Sequence, residues 1–423
     1  MQGKVKFVDA KTGSWGFIIH EDGGPDIHFV QRDVTNGPLL PEHAGLTVEF
    51  DVVEDGERRH ARRVRRLECD DPGEKMPEAD TLMAQVAERR DPLQTAAPGE
   101  ELTRWAYVVV NGFVNGEGKQ VPSVLPALAA LALRERWHFG DAPDPRQPFT
   151  ILDNYLRFTF FRLRREGKIA EIDGDLGAWA AFNTGLVDEL YDPIYALFKA
   201  NDPKYSQPWR FDAFCVPGKG PAGKRLTSIF DPLPAPASYF KSNFDMLLDA
   251  DRPIHVDYDH VILDGIGRDR FPPAFLERYV PRGFSWQDYT LMDRVDRTRY
   301  LDDFVVAVDE DLSTKRAIKR RLEDAKLLAE KRTRWNYKTA IPQYFPREDS
   351  MSLLLPLAIT DDEHVDLALV VTRNPSGSYQ GRTVFPLDWA YKNARLVCRP
   401  DSDWLVTDSV TISSIGDISA FGD

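Results

Sequence analysis

The first 67 residues constrain the fold more than any other stretch, because five short strand-like runs alternate there with turn signals. The runs cover residues 4–8, 15–19, 27–30, 47–53 and 61–66. Between them stand Thr12-Gly13-Ser14, Asp22-Gly23-Gly24-Pro25, Asn36-Gly37-Pro38 and Asp55-Gly56, residue types that favour turns. Five strands in so short a span predict a closed barrel of the OB type, which leaves no sheet edge open.

A small barrel that grips unstacked nucleotides needs rings on one face and cations beside them. Phe7, Trp15 and Phe17 supply rings. Trp15 and Phe17 are two apart, so on a strand they point the same way. Gly16 between them permits close approach of a base or of a neighbouring strand. Lys4, Lys6 and Lys11 flank the rings, and six arginines, Arg58 and Arg59 among them, fill residues 58–66. That arginine run reads either as a phosphate contact or as a solvated barrel edge.

In three segments, GKVKFVDAKTGSWGFI, DIHFVQRDV and LTVEFDVVEDGERRHARRVRRL, the unit resembles a cold-shock domain. The first stands where that family has its Gly-Lys-Val-Lys-Trp-Phe opening and its Lys-Gly-Phe-Gly-Phe-Ile motif. The second stands where the family has Asp-Val-Phe-Val-His. The resemblance implies a five-stranded barrel that stacks single-stranded RNA or DNA on Phe7, Trp15, Phe17 and His28. In this chain His28 replaces a Phe, Val30 a His, Gln31 an often aromatic residue and Gly13 a Lys. With a stacked base worth about 1–3 kcal/mol, losing one or two platforms lowers affinity about ten- to a thousandfold. Weak, sequence-tolerant binding is therefore expected; a barrel given over to dimer contacts is the alternative.

Past residue 68 the character changes. Residues 69–100 are acidic and bear Pro and Gly, which predicts a linker with a short helix over 81–90. Residues 101–406 predict helices at 123–137, 150–166, 192–200 and 313–332, and strands at 107–110, 208–216, 254–263, 304–308, 351–359, 365–372 and 395–398. Helices come first and strands dominate later without a βαβ rhythm, which favours an α+β domain. Residues 407–423 read as a tail. The expected architecture is multidomain: a small five-stranded OB-type β-barrel at 1–68 followed by a large α+β domain at 101–406.

Composition sets outer limits. The chain has 423 residues, 42% of them apolar, and 54 Lys+Arg against 67 Asp+Glu give a net charge of −13. No apolar run reaches the ~18 residues of a membrane span, and the N-terminus has no apolar signal core, so a cytoplasmic protein is expected. Cys69, Cys215 and Cys398 lie far apart with no CxxC pair, which argues against a disulfide framework and a Cys-rich zinc site.

Within the large domain, residues 313–338 carry ten basic and three acidic residues. Ile318, Leu322, Ala325 and Leu328 recur at helical spacing, leaving a cationic ridge suited to phosphates or to plain solvation; Trp335 and Tyr337 follow it and add weight to nucleotide contact. GKGPAGKR (218–225) approaches a phosphate loop, but Arg225 takes the hydroxyl position and the next residues read as non-helical. HVDYDH (255–260) is the best cluster for a hard cation such as Mg²⁺ or Mn²⁺: on a strand His255, Asp257 and Asp259 share one face and His260 the other. An ordinary edge strand is the competing reading. The turn in TRNPSGSYQGRT (372–383), flanked by Arg373 and Arg382, offers backbone amides to an anion or closes a hairpin.

Further segments, among them NYLRFTFFRLRREGKI, AAFNTGLVDELYDPIYALF, HVILDGIGRDRFP and YQGRTVFPLDWAYKNARLVCRP, are similar to an uncharacterised bacterial domain family of unknown function. That family is found fused to cold-shock or OST-HTH (LOTUS-type) RNA-binding modules, so the resemblance implies RNA-linked biology, in the setting of a bacterial stress response. Asn183, Thr184, His260, Arg270, Gln343, Tyr391, Asn393 and Arg395 are polar residues inside these segments; with Arg334 and Arg382 they make a candidate nucleotide or RNA-end site. The expected function is weak single-strand binding by the barrel coupled to nucleotide or RNA-end binding by the large domain. If that domain is catalytic, phosphoester or pyrophosphate hydrolysis is expected, with Arg395 neutralising charge and His260, Asp257 or Asp259 positioning water. The alternative is a non-enzymatic regulator or nucleotide sensor.

Overall fold

The structure is a computed structural model that describes residues 2–8, 15–20, 27–30, 33–35, 39, 46–55, 58–66, 97–114, 116, 118–173, 177–408 and 410. Lys11, the 81–90 segment and most of 407–423 lie outside the described residues, as do the side chains of Trp15, Arg58 and Arg59. The chain divides into two compact units, Met1–Glu88 and Arg89–Asp423.

The first unit is a closed five-stranded barrel. Its strands are β1 (Gln2–Val8), β2 (Trp15–His20), β3 (Ile27–Val30), β4 (Thr47–Asp55) and β5 (Arg58–Arg66), in the order β1-β2-β3-β5-β4. Alternation does the sorting. Val5, Ile18, Ile27, Phe29, Val48, Phe50, Ala61 and Val64 fill the interior, while the residues between them face out, as the period of two requires. In β1 the period breaks: the pairing shifts between Val5 and Phe7, and Lys6 and Phe7 are both exposed before Val8 turns in. This bulge re-aims one side chain, as bulges do, and it puts Phe7 outside.

The second unit is α+β. One sheet orders β6 (Ala106–Tyr107), β12 (Trp209–Cys215), β11 (Pro193–Ala200), β10 (Trp179–Val187) and β9 (Ala170–Ile172). The other orders β13 (Ile254–Val256), β17 (Tyr379–Pro386), β16 (Leu367–Arg373), β15 (Ser350–Leu357) and β14 (Ile341–Phe345). A small hairpin, β7 (Phe113–Val114) with β8 (Gln120–Val121), stands apart. The helices are α1 (Glu101–Trp105), α2 (Leu125–Leu131), α3 (Thr150–Arg165), α4 (Gly220–Ile229), α5 (Tyr258–Gly267), α6 (Pro273–Leu276), α7 (Arg294–Glu310), α8 (Leu312–Trp335) and α9 (Leu387–Val397).

Both large sheets are buried on two faces, which explains their near-continuous apolar strands. In the second sheet Leu354, Ala368 and Val370 face the core around α3 and α9. Their neighbours Leu353, Leu355, Leu369 and Val371 face α5, α7 and α8. In the first sheet Phe182, Ile194, Ala196 and Phe198 join the α3 core, while Ala181, Tyr195 and Leu197 pack on Leu226 of α4. Helix α3 buries twelve residues between Ile151 and Leu163, Asp153, Asn154 and Arg162 among them.

Four expected elements change type. Residues 192–200, expected as a helix, form β11, because a continuous apolar run with partners on both sides satisfies a central strand equally well. Residues 304–308 lie in α7, where Leu301, Phe304 and Val308 mark a helical stripe and Asp293 caps the N-terminus through Val295 and Asp296 N–H. Residues 395–398 end α9 rather than form a strand. The 254–263 strand stops at Val256: Asp257 accepts the His260 N–H at 3.2 Å and starts α5.

Candidate nucleic-acid interface

On the barrel exterior, Phe7 lies directly across from Phe17, Phe17 from His28, and His28 from His60. These are cross-strand neighbours on β1, β2, β3 and β5, four strands adjacent in the barrel. Directly opposed side chains on one face touch, and the ring centroids stand 5.7, 5.4 and 5.3 Å apart. The result is one aromatic row with Phe7 at an exposed end and the exposed Lys4 and Lys6 on the same strand. His60 was missed by sequence reasoning, because it sits inside the arginine run and its alignment with His28 depends on a parallel pairing between distant strands.

His28 Nδ1 and His60 Nδ1 are 3.3 Å apart, so one ring donates and the other accepts. Burial, then the His60 neighbour, lowers the His28 pKa below its usual 6.5. Among the described side chains of the arginine run, Arg62 pairs with Asp33, Arg63 with Asp51 and Arg65 with Glu49. Gly16 serves the fold, since a Cβ there would stand 2.4 Å from the Phe7 carbonyl oxygen and 2.7 Å from the Phe29 ring.

In the large unit, the polar residues expected to line one pocket divide between the interior, with Asn183, Thr184, Arg270, Gln343, Tyr391, Asn393 and Arg395, and the surface, with His260, Arg334 and Arg382. Asn183 accepts the Gly185 N–H at 2.9 Å. Gln343, fully buried, donates to Ser352 Oγ at 2.9 Å and accepts from Asn393 Nδ2 at 3.2 Å. Arg395 clasps Glu135 with two bonds, 2.6 and 2.8 Å, and lies over the Tyr155 ring. Burial pulls that guanidinium down, and the Glu135 carboxylate more than offsets it, leaving its pKa above the ordinary value. Tyr391 is buried and pushed up to about 12, chiefly by burial. Arg270, held by Thr383 Oγ1 and Asp264, is lowered to about 10 by burial. Arg334 donates to the Ala250 carbonyl and Arg382 to Thr372 Oγ1.

The proposed water-positioning group does not assemble either. His255 is on β13, Asp257 caps α5, and Asp259 on α5 pairs with Lys315 at 3.0 Å. His260 is exposed, whereas Arg395 is enclosed. Among the described residues no three His, Cys, Asp or Glu side chains gather as a metal would need.

The phosphate-loop-like segment is a surprise: strand β12, a turn and helix α4 do follow in the required order, and residues 226–229 are helical. The turn is nevertheless closed on itself. Lys219 Nζ is held by Asp188 and Asp192, both at 2.8 Å, and these bonds raise its pKa. Arg225 is tied to Asp212. The 372–383 turn is a hairpin whose Asn374 N–H donates to the Ser378 carbonyl and whose Arg373 covers Phe244.

One groove of about 730 Å³ does open, at the C-terminal end of α8. Lys331, Arg332, Trp335 and Asn336 form one wall, and Glu363, His364, Asp403 and Trp404 help form the others. His364 Nδ1 lies 3.1 and 3.2 Å from the Asp361 carboxylate oxygens. The backbone and ring N–H groups of His364 hold Asp361 below the usual carboxylate range. The cationic ridge leading here is half neutralised: of its ten basic residues, Lys315, Lys319, Arg321, Lys326 and Lys338 are in ion pairs. Of the expected site residues only Arg334 neighbours this groove; Trp335 and Tyr337 were the sequence signals that pointed to it.

These features define a chain with a ring-bearing closed barrel and an α+β unit that opens a groove at the end of α8. The α+β unit supplies the family: residues 128–404 match the domain of unknown function DUF3825, and the chain belongs to that family. The groove residues fall inside the matched span. No curated protein matches the chain. Among the described residues, no helix is long and apolar enough to cross a membrane.

Proposed function

We propose that this is a cytoplasmic RNA-associated protein in which the barrel, similar to a cold-shock domain, holds single-stranded RNA or DNA, while the larger unit takes a nucleotide or an RNA end. The observation that carries the proposal is the unbroken row Phe7–Phe17–His28–His60 on four adjacent strands. A row of rings gives every base a π face and asks for no particular sequence. Among the described residues, Arg62, Arg63 and Arg65 are engaged by acids of the barrel, while Lys4 and Lys6 stand exposed on β1. If Lys4 and Lys6 supply the contacts, the salt slope is shallow, about −0.7 per contact and so about −1.4 in all.

For the larger unit, binding is favoured over hydrolysis because Arg395 is committed to Glu135 and Asp259 to Lys315. Anisotropy titrations of the full chain with a labelled single-stranded oligonucleotide, and with the same sequence as a duplex, test the proposal across a salt series. Single strands binding at least about tenfold more tightly than duplex supports it, since only unstacked bases reach the rings. Equal affinity for the two, or a dimer that binds neither, overturns it.

A further inference from the structure

Trp335 ends α8 with 92% of its surface exposed, whereas Ile318, Leu322, Ala325 and Ala329 of the same helix are buried. Trp335 stands at the wall of a groove that has the size of a small-molecule site. Its lining sorts by chemistry. Trp335 and Trp404 are the apolar flat groups, and Trp404 is fixed by donating its Nε1–H to the Thr339 carbonyl at 2.9 Å. Glu363 and Asp403 are acceptors for amino or imino groups. Lys331 is exposed and, among the described residues, in no ion pair, unlike five other basic residues of residues 313–338. His364 uses Nδ1 on Asp361, which leaves Nε2 for a ligand.

A flat heterocycle carrying N–H donors and joined to a phosphate matches all three kinds of lining, whereas an apolar peptide matches only the first. We propose that the α8 groove is a nucleotide site of its own, holding one unpaired base against Trp335 with its phosphate toward Lys331. The assignment rests on reading the larger unit as a nucleotide binder, and it does not need the barrel.

Calorimetric titration of the full-length protein with AMP and GMP tests it. Trp335→Ala weakens binding about 5- to 150-fold, the range of one base–aromatic stack. Lys331→Gln weakens it several-fold and makes it less sensitive to salt, because one screened charge contact is gone. Leu291→Ala, at an exposed residue outside both the groove and the barrel row, leaves mononucleotide affinity unchanged. Trp335 is exposed, so the variant folds, which an unshifted melting temperature verifies. Mononucleotide binding that Trp335→Ala leaves intact overturns the groove while leaving nucleotide binding by the larger unit standing. No binding by the wild-type protein at millimolar nucleotide defeats both.

Discussion

Replacing Glu135 by Gln isolates the reason Arg395 is charged, buried and on α9. The pair is enclosed, with side chains 9% and 7% exposed, and the two bonds of 2.6 and 2.8 Å are bidentate. The amide keeps the shape and one acceptor but strands a guanidinium in the core. Removing one partner of a buried pair costs about 3–5 kcal/mol. The larger unit spans Arg89–Asp423, and at about 2.1 cal/mol/K per residue its unfolding entropy is about 0.7 kcal/mol/K. The predicted fall in melting temperature is therefore about 4–7 °C, measured by calorimetry or circular dichroism on the full chain. Replacing both residues with apolar ones, Glu135→Leu with Arg395→Met, recovers much of the loss, because well-packed apolar pairs substitute for buried ion pairs at little cost. A Glu135→Gln protein melting within a degree of wild type, with nucleotide binding lost in Arg395→Met, would refute the structural role and return Arg395 to ligand binding.

Three further outcomes follow from the geometry. Gly16→Ala drives a Cβ into the Phe7 carbonyl and the Phe29 ring, so urea unfolding should show the barrel weakened by about 1–3 kcal/mol or more, with oligonucleotide binding reduced. The His28 pKa is lowered by burial and by His60; the unfolded chain therefore binds more protons as pH falls below about 6.5, and barrel stability should drop between pH 7.5 and 5.5, less so in His60→Gln. Identical urea midpoints at both pH values would contradict that. Lys219→Ala should leave nucleotide affinity within about twofold, because Lys219 holds Asp188 and Asp192 and is not at the phosphate-loop lysine position, which Lys224 occupies.

The barrel was legible because its period of two and its turn residues are local signals, and the rings of Phe7, Phe17 and His28 fall on its outer row. The bulge that turns Phe7 outward is not a local signal; it exists only against β2. In the larger unit, local reading failed where an apolar run suits either element, as at Pro193–Ala200, and where one capping carboxylate, Asp257, converts a strand into a helix start. The predicted pocket dissolved for a related reason. Gln343, Asn393 and Arg395 are the same residue types whether they bond a ligand or one another, and only packing shows that they bond to Ser352, Gln343 and Glu135. The groove was legible only in part, since its walls come from segments around residues 331–339, 361–365 and 403–404 that the chain brings together late.

The most direct measurement is the affinity of the full chain carrying Phe7→Ala and Phe17→Ala for a single-stranded oligonucleotide. Both rings are on the outer face, so the barrel keeps its interior, which an unchanged far-ultraviolet spectrum confirms. With two stacking platforms gone, affinity should fall at least about thirtyfold. Wild-type affinity in this variant would mean that bases are held elsewhere, and the row of rings would no longer explain what the barrel does.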